Sequence, residues 1–96
     1  MFDKTKYLTR GVQEQLTIPL QRALWEMIDL LTIEKDYLQI FELTQISESQ
    51  IHILHRQEVP GFSSELSIHG NLQKEKLKIY VIDDGDYSTM LLAEEY

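Results

Sequence analysis

The apolar positions of this 96-residue chain change period along its length. Leu20, Ala23, Leu24, Met27, Ile28 and Leu31 follow the i, i+3, i+4, i+7 spacing of one buried helical stripe. Thr17-Ile18-Pro19 opens that helix, because a proline in the first turn sits where a backbone N–H has no intrahelical partner anyway. Gln21, Arg22, Glu26 and Asp29 fill the opposite, polar side. Before the helix, Lys6–Arg10 reads as a short strand closed by Gly11. Beyond residue 36 the period shortens to two, the mark of strands.

Tyr37–Ile46 is the next strand, with Tyr37, Phe41 and Leu43 on one side and Leu38, Ile40 and Ile46 on the other. Apolar residues on both sides predict a central position, covered twice. A three-residue turn, Ser47-Glu48-Ser49, returns the chain through Gln50–Gln57 with Ile51 and Ile53 on the side of Phe41 and Leu43. Val59-Pro60-Gly61-Phe62 forms another turn, and Ser64–His69 a shorter strand carrying Leu66 and Ile68. Gly70-Asn71 leads into a final hairpin, in which Leu77–Asp83 meets Asp84-Gly85 and returns through Thr89 to Leu92. Asp-Gly at the two central positions predicts a type I′ turn. That turn sets Asp83 opposite Asp86 and Ile79 opposite Met90. Leu77, Ile79 and Val81 then share a face with Ser88, Met90 and Leu92, while Tyr80, Ile82, Tyr87 and Leu91 occupy the other.

Strand, helix and five further strands predict a single α+β domain over residues 1–96, one amphipathic helix packed on an antiparallel sheet of five to six strands. The helix stripe meets the side offering Phe41, Leu43, Ile51, Ile53, Leu66 and Ile68. One helix covers only part of one face. The other face keeps Leu38, Ile40, Tyr80, Ile82, Tyr87 and Leu91, to be closed by sheet curvature, a second chain or a ligand. Trp25 lies between Gln21 and Asp29, off the buried stripe, and reads as a lid over the helix flank or an interface anchor. Trp25, Tyr80, Ile82, Tyr87 and Leu91 are therefore the candidate interface residues.

Composition removes most chemistry. An apolar fraction of 43% argues against disorder, and the absence of cysteine excludes a disulfide framework, a thiolate zinc site and a thiol nucleophile. No stretch approaches the roughly 20 apolar residues of a membrane span, and Met1–Lys6 lacks the apolar core of a secretory signal, so the expectation is a cytoplasmic protein. A net charge of −7 repels phosphate backbones, and Lys74, Lys76 and Lys78 read as a solvated strand edge, so direct nucleic-acid binding is not expected. Asp83, Asp84, Asp86, Glu94 and Glu95 crowd the last segment without a lysine or arginine among them.

Asp83-Asp84-Gly85-Asp86, with Glu94 at the twelfth position, invites a calcium loop. Gly85 and Tyr87 replace the oxygen ligands at the third and fifth positions, however, and Ser88 the required glycine at the sixth. Turn chemistry accounts for all of these residues. His52 and His55 point to opposite faces and share no metal; His52 and His69 read as solvent-side. Ser63, Ser64, Ser67 and Ser88 sit in no nucleophile-elbow or Ser-x-x-Lys pattern, and no Gly-rich phosphate loop is present. No catalytic residue, cofactor or metal ligand is assigned. The preferred function is a non-enzymatic protein–protein interaction module, a homodimer through the outer sheet face included. The alternatives are an acidic decoy imitating nucleic acid to block a DNA- or RNA-binding protein, and a small hydrolase or metal-dependent enzyme.

Three stretches carry a family resemblance: Tyr7-Leu8-Thr9-Arg10-Gly11-Val12; Ile18-Pro19-Leu20-Gln21 with Trp25, Ile28-Asp29 and Glu34-Lys35-Asp36-Tyr37-Leu38-Gln39; and the tail Val81 to Leu92. Together they resemble domain-of-unknown-function family 960, small acidic proteins of low-GC Gram-positive bacteria, their phages and mobile elements. The tail is the most specific part, and Ser47–Lys76 contributes little. The resemblance implies no activity, cofactor or catalytic residue. The context it implies is one in which small acidic proteins bind host enzymes or their regulators.

Overall fold

The computed structural model describes residues 1–96. Helix α2 (Ile18–Asp29) begins at Thr17-Ile18-Pro19 as expected, with Pro19 in the first turn, and the Thr17 hydroxyl caps it by accepting the Leu20 N–H at 3.4 Å. Leu20, Leu24 and Ile28 are buried along its inner stripe, with Ala23, Met27 and Leu31 half-buried beside them. Gln21 departs from the expected polar face and is buried. Its amide donates to the Leu16 carbonyl at 3.0 Å, because a second helix lies against the start of α2 and widens the buried arc.

That second helix, α1 (Arg10–Gln15), occupies the place where a strand was expected to end. The Thr9 hydroxyl accepts the Val12 N–H at 3.3 Å and caps it. Gly11 closes no strand. It is helical, and a Cβ there would lie 2.7 Å from the Glu95 carboxylate and from a Leu92 methyl, so the side chain is omitted to let the C-terminal segment approach. The first strand is correspondingly short, β1 (Thr5–Leu8).

The remaining strands are β2 (Leu38–Gln45), β3 (Gln50–Gln57), β4 (Phe62–His69), β5 (Lys76–Asp83) and β6 (Tyr87–Leu92), followed by a 3₁₀ turn at Ala93–Glu95. All six strands form one sheet in the order β1-β6-β5-β2-β3-β4. The fold is α+β with two corrections to the expectation: there are two α-helices, and the sheet is mixed, since β1 runs parallel to β6. β2 is central, as its two apolar sides require. The three-residue turn after it holds, and Leu43 pairs with Ile53 and Phe41 with His55.

The last hairpin is shifted by one residue from the expected turn. Asp84 donates its N–H to the Tyr87 carbonyl at 2.9 Å, which makes Gly85 and Asp86 the central pair. Gly85 has φ +97° whereas Asp86 does not enter positive φ, a pattern that puts glycine first, as type II′ turns do, rather than second as in type I′. Ile79 therefore pairs with Leu92, Val81 with Met90 and Asp83 with Ser88, not Ile79 with Met90 or Asp83 with Asp86. Moving the centre by one residue slides the pairing by two, so every side chain keeps its expected face.

One cluster holds the inner face together: Phe41, Leu43, Ile51, Ile53, Leu77, Ile79, Val81, Met90 and Leu92 from the sheet, against Phe2, Val12, Leu16, Leu20, Leu24 and Ile28. Of the two β4 residues expected on this side, Ile68 is half-buried against the cluster, while Leu66 is exposed and lies outside it.

Candidate interaction surfaces

No helix packs on the outer face of the sheet. The strand registers place Leu91, Tyr80 and Ile40 side by side across β6, β5 and β2, and Tyr7, Thr89, Ile82 and Leu38 in the next row toward the hairpin tip. Four tyrosines lie over these rows. Tyr7 and Tyr87 meet edge to face at 5.4 Å, as do Tyr80 and Tyr96 at 5.6 Å. Their rings shield the aliphatic side chains beneath, and Leu91 and Ile40 are buried without help from any helix. Tyr80 and Ile82 remain half-buried and Tyr87 exposed. Four of the five candidate residues are thus brought together on one surface, partly closed by the protein's own aromatics.

Trp25 does not join them. It lies on the opposite side of the sheet, half-buried against the core, with the Lys6 ammonium 5.6 Å from its ring centre. It covers the flank of α2.

The outer face becomes polar toward β3 and β4. Lys78, Glu42, Leu54 and Glu65 form one row. The Arg56 guanidinium pairs with Glu42 at 3.3 Å and His52 with Glu65 at 2.9 Å. His69 stands opposite Gln50, so it does not face His52. Lys76 and Lys78 project from β5 on this face, while Lys74 lies before the strand and reaches Glu94 at 3.7 Å.

The acidic residues of the last segment are not one cluster. β6 separates Asp83, Asp84 and Asp86 at the hairpin tip from Glu94 and Glu95 beyond its far end, by roughly 20 Å of extended chain. Asp83 spends both oxygens on backbone, accepting the Gly85 N–H at 2.8 Å and the Phe2 N–H at 3.1 Å. Glu95 accepts the Thr9 hydroxyl at 2.6 Å, the Leu92 N–H at 2.8 Å and the Gly11 N–H at 3.3 Å. These bonds, the Thr9 hydroxyl foremost, hold its pKa below the ordinary glutamate value. No three His, Asp or Glu side chains converge where they could hold a metal ion.

The least expected polar group is His55, wholly buried on the inner face and stacked on Phe41 with ring centres 4.4 Å apart. Its Nε2 lies 2.6 Å from Gln39 Oε1. The Gln39 amide nitrogen donates to the Asp36 carbonyl at 2.9 Å and to Gln57 Oε1 at 2.8 Å. Gln57 in turn donates to the Glu34 and Pro60 carbonyls, both at 2.9 Å. Backbone carbonyls accept only, so both amides are fixed in orientation, and His55 must carry its proton on Nε2. Nδ1 is left buried without a partner. A second proton has nowhere to go, and burial lowers the His55 pKa from 6.5 to about 4. Period-two counting offered the signal, because His55 shares parity with Ile51 and Ile53.

A family model described as "Staphylococcal protein of unknown function (DUF960)" matches residues 5–95. Among solved structures, the chain is similar to a protein of unknown function from Enterococcus faecalis, with 26% identity and a TM-score of 0.76 over 98% of this chain and 92% of that one. No curated protein matches.

Proposed function

Since the chain belongs to the DUF960 family over nearly its whole length, and neither that family nor the enterococcal relative carries a described activity, we propose a function from its surface: a non-enzymatic protein–protein interaction module that pairs with a second copy through the helix-free face of the sheet. The observation that carries this reading is the surface of Tyr80, Ile82 and Tyr87 above the buried Leu91, an aromatic and aliphatic platform that no helix covers. Aromatic residues of this kind anchor interfaces because they bury a large area with few rotatable bonds.

Charge supports a second copy as the occupant. β5 carries Lys76 and Lys78 at one end of this face, and the exposed Asp84 follows the strand at its other end. Two faces related by a twofold axis, their β5 strands antiparallel, bring the ammonium groups of each copy toward the Asp84 carboxylate of the other. An acidic chain can meet itself there without bringing like charges together. In the setting that the family resemblance implies, the cytoplasm of Gram-positive bacteria and their mobile elements, the paired module would present its remaining surfaces to a protein target.

Sedimentation velocity tests the pairing. The unmodified protein should sediment as a dimer at high micromolar concentration, and Tyr80→Glu with Ile82→Glu should give a folded monomer. A protein already monomeric at that concentration refutes the dimer and leaves the outer face closed by its own tyrosines.

A further inference from the structure

Six strands span about 24 Å in their hydrogen-bonding direction, whereas a helix with its side chains is about 10 Å wide. One long helix therefore leaves margins on the inner face. At the β1–β6 margin α1 and Trp25 supply the missing cover. At the other margin nothing does. β4 is the terminal strand, and its outer edge has no backbone partner over its eight residues.

Between that edge and α2 the inner face opens into two adjoining cavities. One, of about 250 Å³, is bounded mainly by Met27, Leu30, Leu31, Phe62 and Leu66, with Glu65 among its polar lining residues. The other, of about 270 Å³, is bounded by Ala23, Glu26, Met27, Leu30, Leu66 and Ile68. Met27, Leu30 and Leu66 belong to both, so the two make one apolar groove parallel to the open edge. Leu66 is 40% exposed within it and Leu30 69%.

Sheet edges are ordinarily guarded by shortness, lysine, proline or a bulge. β1 is guarded, being four residues long with Lys6 inside it. β4, Phe-Ser-Ser-Glu-Leu-Ser-Ile-His, contains neither lysine nor proline, and its register with β3 is unbroken from Gln57–Phe62 to Gln50–His69. An unguarded edge beside an apolar groove is the arrangement by which proteins bind extended peptides, the edge supplying main-chain hydrogen bonds and the groove receiving alternate side chains.

We infer that the β4 edge and the β4–α2 groove bind an extended segment of another protein, with apolar residues at alternate positions and lysine or arginine between them. The inward residues of such a strand enter the groove around Leu66. Its outward residues lie beside Glu65, whose side chain extends from the outer side of the strand with His52 as its one hydrogen-bond partner. The charged side chain on the helical wall of the groove is Glu26, also acidic. A second copy of this chain fits less well, because it brings its own Glu26, Glu65 and net charge of −7 to the same seam. The surface is separate from the Tyr80–Ile82 platform, which lies on the other face.

The test uses a fluorescent peptide as long as β4 that alternates valine with lysine, titrated into the intact protein. Saturable binding is expected, with slowed hydrogen exchange at every second β4 amide. Leu66→Glu and Leu30→Glu, both at exposed positions, should each leave a folded protein by circular dichroism and weaken binding by about tenfold or more. A peptide N-methylated along one edge should not bind, and Tyr80→Glu with Ile82→Glu should leave the peptide affinity unchanged. Equal binding of the N-methylated or a scrambled peptide would reduce the effect to charge and overturn the proposal. So would the absence of binding at millimolar concentration, or a dimer of the unliganded protein that Leu66→Glu dissociates.

Discussion

Lowering the pH from 7.5 to 5 should destabilise this protein through one residue, His55. The ring is wholly buried, its Nε2–H is committed to Gln39, and its pKa falls from 6.5 to about 4. A group whose folded pKa lies below its unfolded one favours the folded state most above the unfolded pKa, and that advantage is lost as pH falls toward the folded value. At pH 7.5 His55 is neutral in both states and costs nothing. At pH 5 the unfolded chain takes up a proton that the folded one refuses, a loss of about 2 kcal/mol that grows to about 3 kcal/mol below pH 4. That is a large share of the stability of a small domain, typically about 5–15 kcal/mol.

Urea denaturation followed by fluorescence of Trp25, the single tryptophan, measures the effect. His55→Gln is the control, because an amide can still donate to Gln39 Oε1 but does not titrate. The control should lose about 2 kcal/mol less than the unmodified protein between pH 7.5 and 5. His52 and His69 are common to both proteins and cancel. The lowered pKa of Glu95 acts in the same direction, but its loss falls below this window, where carboxylates protonate. Equal pH dependence in the two proteins would refute the reasoning, as would an NMR titration placing the His55 pKa near 6.5.

Other positions give sharper yes-or-no outcomes. Gly85→Val should cost about 1–3 kcal/mol, because a β-branched residue is forced to the φ of +97° even though the space around it is open; an unchanged melting temperature would remove the turn assignment. Gln39→Leu should cost about 1–3 kcal/mol by stranding the His55 N–H, and should leave Gln57 Oε1 one donor short, read as faster hydrogen exchange at Asp36. Thr17→Ala, which removes the α2 cap, should cost about 1 kcal/mol in denaturant melts. Millimolar calcium should leave the melting temperature in place, since both Asp83 oxygens accept backbone N–H groups; a saturable shift abolished by Asp84→Asn would mean that the tip binds the ion.

The parts of the fold legible in the sequence are those whose signals are local. α2 announced itself through a period and a proline, and the β2–β3 register through the parity of Ile51 and Ile53 across a three-residue turn. The strands kept their faces even where the hairpin turn was misplaced, because the pairing slid by two residues. α1 was hidden because only Val12 and Leu16 mark its buried side, and because Gly11 argues against a helix until the approach of Glu95 explains it. The parallel pairing of β1 with β6 joins residues about 80 positions apart by a register that no turn specifies. Tyr80, Ile82, Tyr87 and Leu91 could be placed on one surface by counting in twos. The β4–α2 groove could not, since it depends on strand order and on how far one helix reaches across the sheet.

The buried amides say what the uncovered half of the inner face uses in place of a third helix. Near the β1–β6 margin the core closes with aliphatic side chains from two helices. Toward β3 and β4, Gln39, His55 and Gln57 take core positions where three apolar residues would remove the desolvation cost altogether. Their hydrogen bonds leave the sheet: Gln57 reaches the backbone of Glu34 and Pro60, and Gln39 that of Asp36, while the Asp36 carboxylate accepts the Val59 N–H at 3.1 Å. Two loops, the one leaving α2 and the one between β3 and β4, are tied by this network to the same central strands. Those loops adjoin Leu31 and Phe62, which bound one end of the groove. A hydrophobic replacement could match the network in stability yet leave both loops free to drift, because dispersion contacts do not specify the position of a backbone carbonyl. Buried polar groups here position the open end of the fold, and a fall in pH tells against that arrangement because the unfolded chain takes up a proton that the buried His55 refuses.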